Sequence, residues 1–142
     1  MKKILAVFAA FCCAALMAAP PAGWVTDYDA ALEQAAKDKK TVLVLFTGSD
    51  WCGWCIKLHK DTLGQKEFKK FAAKKLILVY MDMPRKQDPA ERAKVRELSS
   101  KLQAGGGVPC TVLVDPSGEV KGKIGGYRPL KKYMAELKKF VK

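Results

Sequence analysis

A chain of 142 residues, 49% of them apolar, can bury one compact core but has too little material for two. Its 26 Lys and Arg against 14 Asp and Glu give a formal net charge of +12. The apolar content excludes a disordered basic tail, so the composition describes a folded, strongly basic domain.

Met1-Lys2-Lys3 leads into an apolar run from Ile4 to Ala19, followed by Pro20-Pro21. This pattern reads as a secretory signal peptide over residues 1–22, ahead of a domain over residues 23–142. The run is shorter than the ~20 residues a spanning helix needs. Ala18, Ala19 and Ala22 offer cleavage points, although none forms a clean Ala-x-Ala. A lipid anchor through Cys12 or Cys13 fits poorly, because Phe11 and Cys12, not small residues, precede them. Membrane contact is therefore expected only through an uncleaved leader or such an anchor. Removing Lys2 and Lys3 with the leader leaves 24 basic residues against 14 acidic, a net charge of +10. Three cysteines remain, Cys52, Cys55 and Cys110, which is not the even, dense pattern of a small disulfide scaffold.

Thr26 and Asp29 have capping-box spacing, and Tyr28, Leu32 and Ala35 follow at helical intervals, predicting a helix over 27–38. Thr41 to Phe46 is a β-branched apolar run suited to a strand buried on both faces. Ser49 and Asp50 are candidate N-caps for a helix over 51–60 whose first turn carries both close cysteines. Gly64 interrupts or kinks that segment, and Phe68, Phe71 and Ala72 resume helical spacing before a second strand over 76–81. Asp88-Pro89 begins a third helix carrying Val95, Leu98 and Leu102 and ending near Gly105. Val108–Val114 and Glu119–Ile124 read as strands joined by the turn Asp115-Pro116-Ser117-Gly118. A final helix carries Leu130, Tyr133, Leu137 and Phe140 or Val141 on one face. Alternation followed by a terminal hairpin predicts an α/β fold: a mixed sheet with helices on both faces, closing with a β-hairpin and a helix.

Cys52 and Cys55 stand at i and i+3, within one helical turn, close enough to form a small-loop disulfide. Free N–H groups and the positive dipole end at a helix start stabilise a thiolate, so Cys52 is expected to have a pKa of about 7 or below. Cys55, one turn on, is expected to be the buried resolving thiol. Cys52 would attack a substrate disulfide and Cys55 would release the mixed disulfide; the reverse steps would oxidise a dithiol. Gly53 leaves the approach open, and Trp51 and Trp54 offer an apolar rim to an extended partner. C-type haem attachment is excluded because Ile56, not His, follows Cys55. A closed zinc site lacks ligands, but a helical cluster of Cys52, Cys55 and His59 stays sterically conceivable and gives a metal-handling alternative.

The segment Phe46 to Cys55, with Trp51-Cys52-Gly53-Trp54-Cys55 after a buried strand, resembles the thioredoxin-like superfamily, and within it the exported thioredoxin-related thiol-disulfide oxidoreductases. Val108-Pro109 some fifty residues later completes the resemblance, which spans nearly the whole chain after the leader. It implies a thioredoxin fold, a cis Pro109 packed against a redox-active Cys52–Cys55 disulfide, and a Val108 backbone that pairs with bound peptide. Gly125-Gly126 resembles the family's glycine loop beside the groove. The buried acid that serves proton transfer in thioredoxin has no counterpart, because Leu45 and Phe46 occupy the matching positions. Gly53-Trp54 also replaces thioredoxin's Gly-Pro, so neither potential nor direction transfers. Cys110 is expected to be a buried strand cysteine rather than a third redox thiol.

The leading expectation is an exported enzyme of the bacterial periplasm or envelope, exchanging disulfides with protein substrates as a reductase rather than an oxidase. It needs no cofactor. The resemblance to periplasmic reductases points to a membrane-embedded electron donor, the lack of a dimerisation domain such as disulfide isomerases carry favours a reductase over an isomerase, and a monomer is expected. The alternative class is a non-catalytic binding module using Lys69, Lys70, Lys74, Lys75, Lys131, Lys132, Lys138, Lys139 and Lys142. Nucleic acid is not an expected partner, because no aromatic base-stacking motif interleaves the charges.

Overall fold

The computed structural model describes residues 19–142; the leader read over 1–22 lies outside the described residues except for its last four. In chain order the elements are β1 (Trp24–Val25), α1 (Tyr28–Asp38), β2 (Thr41–Thr47), α2 (Gly53–Leu58), a π-helical turn (His59–Leu63), α3 (Lys66–Lys75), β3 (Leu76–Asp82), α4 (Pro89–Lys101), β4 (Cys110–Val114), β5 (Val120–Gly125) and α5 (Leu130–Leu137). The sheet order is β1-β3-β2-β4-β5. β1 and β2 run parallel to β3, while β4 runs antiparallel to β2 and to β5. This is the expected mixed sheet with a terminal hairpin. Among the described residues, no helix is long and apolar enough to cross a membrane.

β2 organises both layers because its side chains alternate between two apolar cores. Leu43 and Leu45 face Phe68 and Ala72 of α3 and Tyr133, Met134 and Leu137 of α5. Val42, Val44 and Phe46 face Tyr28, Ala31 and Ala35 of α1 and Val95 of α4. Each leucine or valine buried in this way stabilises the fold by about 1.5–3 kcal/mol. A strand apolar from Val42 to Phe46 therefore places the segment that follows it, residues 48–55, at one end of a rigid sheet.

Several boundaries differ from the sequence expectations. β1 is an additional strand, too short to show any alternation. Pairing of Trp24 with Leu78 orders it, and Trp24 packs on Phe68 and Tyr80 with ring centroids 6.5 and 5.8 Å away. The cap of α1 is Asp27, not Thr26: its carboxylate accepts the Ala30 N–H at 3.0 Å. α2 starts at Gly53 with Cys52 itself as N-cap, because Ser49 spends its polar groups on Asp82 at the end of β3 and Asp50 its carboxylate on Arg85 in the loop beyond. The expected kink at Gly64 takes the form of the π turn, closed by Gly64 N–H donating to the His59 carbonyl at 2.7 Å. A Cβ on Gly64 would lie 2.9 Å from that oxygen. α4 ends at Lys101, short of Gly105, where Gln103 turns left-handed at φ 54°. β4 starts at Cys110, not Val108; Pro109 has no N–H for the ladder, and its carbonyl accepts from Gly126 at 2.8 Å. α5 ends at Leu137, and Phe140 and Val141 carry its apolar face onward beyond the helix.

Candidate active site

Residues 47–51, at and beyond the end of β2, are fastened to the end of β3 and the loop after it at four points. Thr47 C=O accepts the Met83 N–H at 2.9 Å. The Asp82 carboxylate accepts the Ser49 N–H at 2.9 Å and also its hydroxyl. Asp50 accepts the Arg85 N–H at 3.1 Å, and the Trp51 indole N–H donates to the Met83 carbonyl at 2.7 Å. The Trp51 ring lies over Gly48, where a Cβ would overlap it, so any larger residue there would displace the indole. These contacts hold the chain entering Cys52 against a strand that runs parallel to β2.

Cys52 and Cys55 are joined in a disulfide, with their Cα atoms 5.2 Å apart. Cys52 Sγ also accepts the Cys55 N–H at 3.2 Å, the contact that caps α2. Both cysteines are buried, Cys52 at 8% and Cys55 at 4% exposure, so the expected contrast between an open and a deep thiol is small. Cys52 is covered because the loop before β4 comes down beside it. The Val108–Pro109 peptide bond is cis, as the resemblance implied, and the Val108 carbonyl oxygen lies 3.9 Å from Cys52 Sγ. Among the described residues, the Val108 N–H and C=O make no backbone hydrogen bond, which leaves an unpaired peptide edge beside the disulfide.

The rim is apolar and open. Trp51, Trp54 and Ile56 are 45%, 61% and 50% exposed, while a side chain at Gly53 would meet nothing within 4 Å. Trp54 leans on Tyr127 at 5.5 Å between ring centroids. Tyr127 donates its hydroxyl to Asp61 at 3.2 Å, and Lys57 pairs with Asp61 at 2.8 Å while sitting 5.2 Å over the Tyr127 ring. The hydrogen bond from Lys57 holds the Asp61 carboxyl below its usual range. Tyr127 follows Gly126, a left-handed residue at φ +72° whose N–H is bound to Pro109, so one glycine ties the far wall of the site to the proline. Sequence reasoning missed Tyr127 and the anchoring carboxylate Asp82. An aromatic directly after Gly125-Gly126 was the available signal for the former; Asp82 carried none, because its partner Ser49 is 33 residues away.

Leu45 and Phe46 are both buried. Among the described residues the buried polar side chains are Thr47, Thr62, Ser99 and Thr111, with no carboxylate. His59 stands in the π turn, half-buried with its Nδ1 unpartnered, and burial followed by the charge of Lys69 holds its pKa below the ordinary value. Among the described residues, no three His, Cys, Asp or Glu side chains are grouped to hold a metal ion. Cys110 is a buried free thiol whose pKa burial pushes up.

A mixed five-stranded sheet carrying a Cys-x-x-Cys disulfide at a strand-to-helix junction, opposite a cis proline, defines the thioredoxin class of proteins. The sequence matches the thioredoxin-like family over residues 23–116, and the chain belongs to that family. It is similar to the disulfide bond reductase DsbH of Chlamydia pneumoniae, with 39% identity over 69% of this chain and 60% of that protein. The thioredoxin-related protein DsbJ of the same organism is 29% identical over 73% of this chain and 30% of its own length. The chain thus spans less than two thirds of either relative. A solved structure of a DsbH oxidoreductase superposes with a TM-score of 0.71 at 32% identity, covering 88% of this chain and 91% of the other.

Proposed function

We propose that this protein is an exported thiol-disulfide oxidoreductase that reduces protein disulfides. The carrying observation is the Cys52–Cys55 disulfide set beside the unpaired Val108 peptide edge and under an exposed Trp51, Trp54 and Ile56 rim. A bound extended segment would pair with the free edge and pack on the rim, which presents its disulfide sulfur to Cys52. In the reduced protein, the Cys52 thiolate attacks one substrate sulfur, the substrate S–S bond breaks, and one substrate thiolate leaves. Cys55, as thiolate, then attacks Cys52 Sγ and expels the second. Two electrons pass to the substrate and the Cys52–Cys55 bond closes. A dithiol donor restores the reduced form. Similarity to a named disulfide reductase supports the reductive direction, and the leader-like residues 1–22 support export to the periplasm or envelope, where a membrane-embedded donor would face the protein. No metal or organic cofactor enters this scheme.

The test follows insulin disulfide reduction by dithiothreitol. Wild type accelerates it, Cys52→Ser abolishes the acceleration, and Cys55→Ala accumulates a mixed disulfide through Cys52. A potential near −270 mV against glutathione fits a reductase, whereas a value near −120 mV would assign the protein as an oxidant. A protein whose cysteines do not cycle is instead a binding module.

A further inference from the structure

Trp51 and Val108, which serve the exchange site, also border an open groove of about 910 Å³ whose other lining residues the exchange chemistry above does not use. Met83 lines it beside Trp51 and Val108, and α4 with the residues just after it contributes Arg92, Arg96 and Gln103. Arg92 and Arg96 are four residues apart and so project from one helix face. Among the described residues, no carboxylate lines the groove. Arg92 is held in place: its Nη2 donates to the carbonyls of Pro84 at 2.6 Å and Arg85 at 3.4 Å, so it also braces the loop that anchors Trp51. Further guanidinium donors remain on Arg92 after these contacts. Arg96 is exposed and, among the described residues, makes no ion pair and no side-chain hydrogen bond. Lys57, by contrast, is paired with Asp61.

We infer that this groove is a substrate subsite for acidic side chains, and that Arg96, with Arg92 behind it, selects protein disulfides whose cysteine lies within a few residues of Asp or Glu. The inference rests on the reductase reading. The groove runs from the Val108 edge, so a segment seated there would carry its neighbouring side chains past the two guanidiniums. A planar guanidinium fork matches a carboxylate, and a wall with cations and no anion also disfavours basic neighbours.

The experiment uses symmetric peptide disulfides in which the cysteine is flanked, on either side, by Asp, Asn or Lys at the second and third positions. Reduced protein transfers two electrons to each, splitting it into two peptide thiols as Cys52–Cys55 closes, and dithiothreitol reopens the pair. We expect kcat/KM for the Asp peptide to exceed that for the Asn peptide roughly five-fold at low salt, and the ratio to shrink as salt rises, since exposed charge pairs are modest and screened. Arg96→Gln brings the Asp-to-Asn ratio toward one and Arg96→Glu takes it below one. Lys70→Gln, a charge removed from α3, leaves the ratio unchanged. Equal rates on the Asp and Asn peptides, or an Asp preference that survives Arg96→Glu, overturns the subsite while the reductase reading stands. Failure to reduce any peptide overturns that reading, and the subsite with it.

Discussion

The Thr111 and Tyr133 hydroxyls share one hydrogen bond of 2.8 Å in the core between β4 and α5. Thr111 is two residues beyond Pro109, so this bond ties α5 to the strand that directly follows the proline. Thr111 is 1% exposed and Tyr133 fully buried, so neither hydroxyl can turn to water if its partner is removed. Tyr133→Phe strands the Thr111 hydroxyl and Thr111→Val strands the Tyr133 hydroxyl, each costing about 1–3 kcal/mol. In the double variant both polar groups are gone and the shapes are nearly kept, so its cost should be close to that of one single variant or below, not their sum. The expected coupling is about 1–2 kcal/mol, a large share of a typical domain stability of about 5–15 kcal/mol. Urea unfolding of the four oxidised proteins, followed by tryptophan fluorescence and extrapolated linearly, measures it. Additive costs in the double variant would refute the assignment of this pair as a mutually satisfied buried bond.

Three further outcomes are expected. Burial, with a smaller effect from Asp82, pushes the Tyr80 hydroxyl from its ordinary value of 10.0 up to about 12. The folded state then holds this proton more tightly than the unfolded state, so its stabilisation is complete below pH 10 and is lost as pH rises toward 12. Urea midpoints should fall more gently across that window in Tyr80→Phe than in wild type; identical slopes would remove Tyr80 from the alkaline limb. In reduced protein, iodoacetamide should modify Cys52 first and leave the buried Cys110 unmodified until denaturant is added, as peptide mass spectrometry would reveal; early labelling of Cys110 would contradict its burial. Gly48→Ala should displace the Trp51 indole and break its bond to the Met83 carbonyl, raising KM for peptide disulfides several-fold and shifting tryptophan emission; unchanged values in both would show that the indole does not need its place over Gly48.

Local signals carried far in this chain because its elements are locally consistent. β2 is buried through six successive residues, Val42 to Thr47, as a strand covered on both faces must be, and Asp88 caps α4 by accepting from Ala90 and Glu91. The Asp115 turn closes the hairpin through bonds to Ser117 and Glu119, and the Cys52-Cys55 spacing reports a bond within a single turn. Those features depend on residues a few positions apart, so the amino-acid order alone determined them.

What tertiary structure decided depends on partners distant in sequence. β1 is a strand only because Trp24 finds Leu78, and two residues carry no periodicity of their own. Ser49 and Asp50 look like helix caps to any local reading, yet each finds a stronger use across the sheet, which moves the start of α2 to Gly53 and makes Cys52 its cap. Cys52 is buried rather than open because the loop before Pro109 settles against it from 56 residues away. The Tyr127 wall and the arginine-lined groove likewise exist only once α4, β4 and the end of β5 converge on the disulfide. Short-range hydrogen bonding and periodicity are encoded in sequence order, whereas the surfaces that would choose a substrate come from packing elements together, and that geometry appears only when the chain is folded.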